Sequence, residues 1–121
     1  GVNSITGDVF LGDMTHVELR DFTLVGNVNI GEQSMLKVRD STPASTTISG
    51  NVDIDAGGQL ITGSDVKVDG YIAAWSQGSV RLGSDNQVTG ELLVTRGQLD
   101  MGSNVVIDGP VRVNQAQFFS G

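Results

Sequence analysis

The segment Thr47-Ile48-Ser49-Gly50-Asn51-Val52-Asp53-Ile54 decides the fold. Ile48, Gly50, Val52 and Ile54 share one parity, and Thr47, Ser49, Asn51 and Asp53 take the other. Strict alternation over this length is the pattern of a strand with one buried face. Val and Ile at the buried positions add strand propensity. Gly50 shares the aliphatic parity, so it is expected to point inward, at a bend where the wall leaves no room for a side chain.

Outward from Gly50 the same unit recurs. Gly7, Gly26, Gly50, Gly70, Gly90 and Gly109 stand 19, 24, 20, 20 and 19 residues apart. Two residues before them lie Ile5, Leu24, Ile48, Val68, Val88 and Ile107. Two residues after lie Val9, Val28, Val52, Ile72, Leu92 and Val111, and four after lie Leu11, Ile30, Ile54, Ala74, Val94 and Val113. Seventeen of these 18 positions are Val, Ile or Leu in a chain with only 32 such residues, which excludes a chance alignment. A period near 20 is the signature of a solenoid, whose repeats bury their apolar side only by stacking.

A second apolar pair follows a turn in each unit. Its first members are Val17, Leu36, Leu60, Val80, Leu99 and Phe118; its second are Leu19, Val38, Thr62, Leu82, Met101 and Ser120. The turns between are polar and glycine-rich, as in Asp55-Ala56-Gly57-Gly58 and Ser76-Gln77-Gly78. Each unit closes on a residue expected to bond its own local backbone: Asp21, Ser45, Asp65, Asp85 or Asn104. The second unit is longer because residues 41–45, with Pro43, are inserted at this corner. No segment keeps apolar residues at helical spacing.

Equal units with the same internal order favour a coil over a meander. The expected fold is all-β: a single-stranded parallel β-helix of about six coils of 19–20 residues, right-handed, spanning residues 1–121 as one domain. The hexapeptide left-handed helix needs shorter, stricter units. The chain begins at Gly1 without Met, so a processed or excised piece of a larger protein is expected.

Composition narrows the function. A net charge of -7 argues against nucleic acid, whose phosphates need Lys and Arg. No run of 18 or more apolar residues is present, so no membrane-spanning helix is expected. Cysteine is absent, which removes disulfides and thiolate metal sites. The only histidine, His16, is placed in the first unit's turn with no nucleophile beside it. Outward carboxylates such as Asp8, Asp53, Asp69, Glu91 and Asp108 do not align in adjacent coils as a glycosidase pair would. No catalytic residue is expected.

No cofactor is expected either. The column of Asp21, Asp65, Asp85 and Asn104 raises calcium, which would relieve repulsion between stacked carboxylates. The Gly-Gly-x-Gly-x-Asp nonapeptide of calcium-binding rolls is absent, and turn capping accounts for the column. The candidate ligand surface is Asn27, Asn29, Asn51 and Asp53, with Tyr71 and Trp75 one coil further on. The asparagines also suit a structural ladder. Trp75 could instead cover the coil where Ala74 leaves space. Phe10, Val25, Tyr71, Leu93 and Phe119 take the solvent parity and suggest a partner surface.

The segments Ser49-Gly50-Asn51-Val52-Asp53-Ile54, Gly90-Glu91-Leu92-Leu93-Val94 and Gly97-Gln98-Leu99-Asp100-Met101-Gly102 resemble coils of exported bacterial β-helix proteins. Autotransporter passenger domains and related adhesins are the closest type. That resemblance implies a secreted or cell-surface protein, a rigid stalk, and glycan or host-protein partners. The pattern is also similar to the bactofilins, cytoplasmic β-helices that polymerise end to end. Flanking domains or another copy are expected at the two open ends.

Overall fold

The computed structural model describes residues 3–20, 22–39 and 46–120. Asp21, Ser45 and the insert at 41–45 lie outside the described residues. Each coil contributes three short strands. The first has β1 (Asn3–Thr6), β2 (Val9–Leu11) and β3 (His16–Arg20); the second has β4 (Phe22–Val25), β5 (Val28–Ile30) and β6 (Met35–Arg39). The third has β7 (Thr46–Ser49), β8 (Val52–Ile54) and β9 (Gln59–Thr62); the fourth has β10 (Val66–Val68), β11 (Ile72–Ala74) and β12 (Ser79–Leu82). The fifth has β13 (Gln87–Val88), β14 (Leu92–Thr95) and β15 (Gln98–Met101); the sixth has β16 (Val106–Ile107), β17 (Val111–Asn114) and β18 (Gln117–Ser120).

Corresponding strands stack into three six-stranded sheets, one per wall. Sheet A is β1-β4-β7-β10-β13-β16, sheet B is β2-β5-β8-β11-β14-β17 and sheet C is β3-β6-β9-β12-β15-β18. All pairings are parallel. The chain is therefore a single-stranded parallel β-solenoid.

The register is the one the glycine column implies. Ile5, Leu24, Ile48, Val68, Val88 and Ile107 stack on sheet A. On sheet B, Val28 pairs with Val52, Val52 with Ile72 and Ile72 with Leu92. Sheet C stacks Val17, Leu36, Leu60, Val80, Leu99 and Phe118. In the central coils these side chains form one buried core. Burying each contributes about 1.5–3 kcal/mol. In the last coil the columns run out of neighbours: Val111 is 41% exposed and Phe118 45%.

The glycine column breaks each coil between its first two strands, as expected, but the crowding has another source. A Cβ on Gly50 would collide with the carbonyl of Gly26, and one on Gly70 with the carbonyl of Gly50. One on Gly109 would lie 2.6 Å from the carbonyl oxygen of Gly90. The limit is set by the preceding coil's backbone, not by the interior. Neighbouring coils approach along the axis through these glycines, and a side chain would force them apart.

The other two corners use left-handed backbone. Met14, Gln33, Ser76, Gln77, Arg96 and Gln115 hold positive φ at the corner between sheets B and C, and of the left-handed residues there only Gly57 is a glycine. Asp65, Asp85 and Asn104, with φ of 60°, 59° and 60°, hold the corner between sheets C and A. The expectation that these residues bond their own local backbone needs correction at Asp65 and Asp85, where the bond that secures the corner runs from the main chain to the next coil. Asp65 N–H donates to Ser84 O at 3.0 Å, and Asp85 N–H to Ser103 O at 2.9 Å. A second correction concerns His16, which opens β3 as an exposed strand residue and is not in the turn.

Gly50→Ala is expected to destabilise the chain by about 1–3 kcal/mol, the range for overpacking. Gly12→Ala, whose added Cβ finds only Thr15 Oγ1 at 3.8 Å, should be neutral or slightly stabilising. Urea denaturation followed by circular dichroism checks both.

Candidate functional site

The proposed surface residues divide into two groups. Asn27 and Asn51 sit at the bend after the column glycines and form a ladder along the axis. Asn27 N–H donates to Asp8 Oδ1 at 2.9 Å, Asn51 N–H to Asn27 Oδ1 at 3.0 Å, and Tyr71 N–H to Asn51 Oδ1 at 3.0 Å. Each side-chain oxygen satisfies a backbone donor of the next coil, at a place where strand pairing has lapsed. These two asparagines are occupied by structure. Asn29 lies between Phe10 and Asp53 in the outward column of sheet B.

Asp53, Tyr71 and Trp75 come together in a groove. The outward column of sheet B runs Phe10, Asn29, Asp53, Ala73, Leu93 and Arg112. Ala73 is the one short side chain in that series, and it makes a dent. Tyr71 precedes β11 by one residue and Trp75 follows it by one, so both flank Ala73 on the same face. Ala73 is only 5% exposed beneath them, whereas Tyr71 and Trp75 are 37% and 47% exposed. Asp53 from the preceding coil and Glu91 and Leu93 from the following coil complete a hollow of about 250 Å³. Trp75 thus lines the outside. The interior at Ala74 is closed by its neighbours, since a Cβ on Gly78 would already lie 3.1 Å from Ala74 Cβ.

Tyr71 is fixed at both ends. Asn51 accepts from its amide, and its phenol donates to Asp53 Oδ2 at 3.2 Å. Burial raises the phenol's pKa, and the Asp53 charge and hydrogen bond raise it further. Both effects disfavour a second negative charge beside the carboxylate. Across the groove, Glu91 faces Arg112 at 3.9 Å in a solvated ion pair.

The remaining outward carboxylates are engaged locally. Asp69 accepts from Thr89 Oγ1 at 2.8 Å, and Asp108 from Gln87 Nε2 at 3.4 Å. Among the described residues, no three His, Asp or Glu side chains come together as metal ligands. No helix of the described residues is long and apolar enough to cross a membrane. A second hollow on sheet C, of about 240 Å³, is lined by His16, Val17, Glu18, Met35 and Lys37.

Sequence reasoning missed one polar cluster. Asn86 is buried, and its Nδ2 donates to Gly63 O at 2.8 Å and Ser84 O at 2.9 Å. Its Oδ1 accepts from Thr62 Oγ1 at 2.7 Å, while Thr62 Oγ1 accepts from the Gly83 amide at 3.2 Å. The signal was present: Asn86 stands where Val66 stands one coil earlier, and Thr62 interrupts the aliphatic column beside it. Two polar breaks in facing columns mark a pair that satisfies itself.

Tyr71 is the only tyrosine, so phenolate absorbance titrates it alone. Its midpoint should lie above the ordinary tyrosine value. Asp53→Asn should lower it, because the neutral amide removes the repelling charge. A group whose pKa is raised on folding gives stability that is full below its unfolded pKa. That stability is lost as pH climbs through the raised value. Tyr71→Phe should therefore flatten the alkaline limb of the stability profile.

No protein-family model matches the chain, and neither a curated protein nor a solved structure matches it. Its assignment rests on its own geometry, which is that of an all-parallel β-solenoid carrying one aromatic-walled groove on sheet B.

Proposed function

We propose that this chain is a non-enzymatic structural module of a secreted or surface-exposed bacterial protein. It serves as a rigid stalk and presents the outer face of sheet B to a glycan or a partner protein. The observation that carries this reading is the unbroken stacking of three walls through six coils. Such a stack resists bending and local opening, because each strand is held by both neighbours. Outer faces rich in Asn, Ser and Thr, and the likeness of the coils to autotransporter passengers and adhesins, support export and display.

The reading is tested by limited proteolysis under native conditions. The chain should stay intact at a protease level that degrades the Gly50→Ala variant. Equal cleavage of the two would contradict a stalk role. Incubation with a panel of polysaccharides should release no reducing ends, and their release would overturn the non-enzymatic part.

One observation favours a second reading, end-to-end self-assembly of the bactofilin type. Phe118 belongs to the core column of sheet C yet is 45% exposed, and Val111 on sheet B is 41% exposed. An apposed coil, from a second copy or from chain beyond residue 121, would bury both. On this reading, sedimentation velocity shows concentration-dependent growth that Phe118→Asp abolishes. A species that stays monomeric at every concentration would exclude it.

A further inference from the structure

We infer that the Tyr71–Ala73–Trp75 groove is a site for a quaternary ammonium group, of the trimethylammonium type. This rests on the reading of sheet B's outer face as a ligand surface and names the chemistry that face recognises.

The shape suits one small group. Tyr71 and Trp75 are four residues apart, so at strand rise their Cα atoms are about 13 Å apart. Between them lies the floor at Ala73, with Leu93 beside it and Ile72 buried in the core below. The aromatics cover the floor but keep much of their own surface open. The hollow of about 250 Å³ has space for a compact head group and a short tail.

Its chemistry selects the charge. The groove has two carboxylates, Asp53 and Glu91, and few donors. The Tyr71 hydroxyl donates to Asp53, which leaves the Trp75 indole N–H as the remaining side-chain donor of the lining. Arg112, which faces Glu91, is not part of the lining. An anion would meet two carboxylates on a chain of net charge -7. A sugar hydroxyl asks for donors as well as acceptors, and donors are scarce. A cation suits aromatic faces and carboxylates together. A primary ammonium needs up to three hydrogen-bond partners. A quaternary ammonium needs none, and its methyl groups pack on Ala73 and Leu93 while its charge faces the rings.

Trp75 is the only tryptophan, so its fluorescence reads the groove directly. Choline chloride, titrated at constant ionic strength, should give a saturable change. The uncharged isostere 3,3-dimethylbutan-1-ol should bind about tenfold more weakly or less, the cation–aromatic and carboxylate contributions being lost. Ethanolamine and methyl glucoside should give no saturable change. Ala73→Leu, which fills the dent, should abolish the choline response, and Glu91→Gln should weaken it without altering the strand circular dichroism. An equal response to the neutral isostere, a response to ethanolamine or glucoside that matches choline's, or no response to choline overturns the inference. A chain that keeps its circular dichroism and protease resistance yet ignores choline sinks this inference alone, and the stalk reading survives.

Discussion

Parallel stacking at one strand spacing governs this molecule. Every coil hands its backbone donors and acceptors to the coils on either side, even where strands lapse into bends. Val28 N–H donates to Asn51 O at 2.8 Å and Leu92 N–H to Pro110 O at 2.9 Å. The spacing is about 4.8 Å, and nothing bulkier than a hydrogen atom fits between backbones at the glycine bend. Gly26, Gly50 and Gly70 are therefore a steric requirement of the stack. The aliphatic columns are its consequence: once register is set, like residues meet.

Polar groups are handled by the same rule of handing on to the next coil. Ser34 is buried, accepts from the Thr15 amide at 3.0 Å and donates to the Gly12 carbonyl. Asn27 and Asn51 stitch the bends, and Thr62 with Asn86 closes a buried corner. Among the described residues, no buried side-chain polar atom lacks a partner. A left-handed residue costs roughly 1–2 kcal/mol, and an inter-coil hydrogen bond offsets it at Met14, Gln33 and Asp65. A slender core without disulfides is held in this way.

Regularity also explains where the groove on sheet B arises. A repeating outer face is a set of even ladders. The groove exists because Ala73 interrupts one ladder between Asp53 and Leu93, with an aromatic residue on each side. The same coil ends the asparagine ladder at Tyr71, which pins the ring that walls the groove. Departures from the repeat, rather than the repeat itself, carry the chemical individuality of the solenoid.

The coil period, the columns and the parallel stack were legible in the residues from Ile5 to Phe118, because identical units must place like on like. Asp53 and Tyr71 were legible as candidates from their outward parity, and Trp75 as an aromatic at the turn beside them, whose side only the structure decided. Three things were not. Crowding at Gly50 comes from Gly26, which is 24 residues away, and only a stacked backbone reveals it. The left-handed positions Met14, Gln33 and Arg96 are not glycines, although Gly12, Gly31 and Gly97 stand within two residues of them, because inter-coil bonds override local preference there. The groove draws on three coils, with Asp53, Tyr71, Glu91 and Leu93 meeting across an alanine. Alternation along one strand decides which side a residue faces, but neighbours across coils decide whether the surface there is raised or hollow.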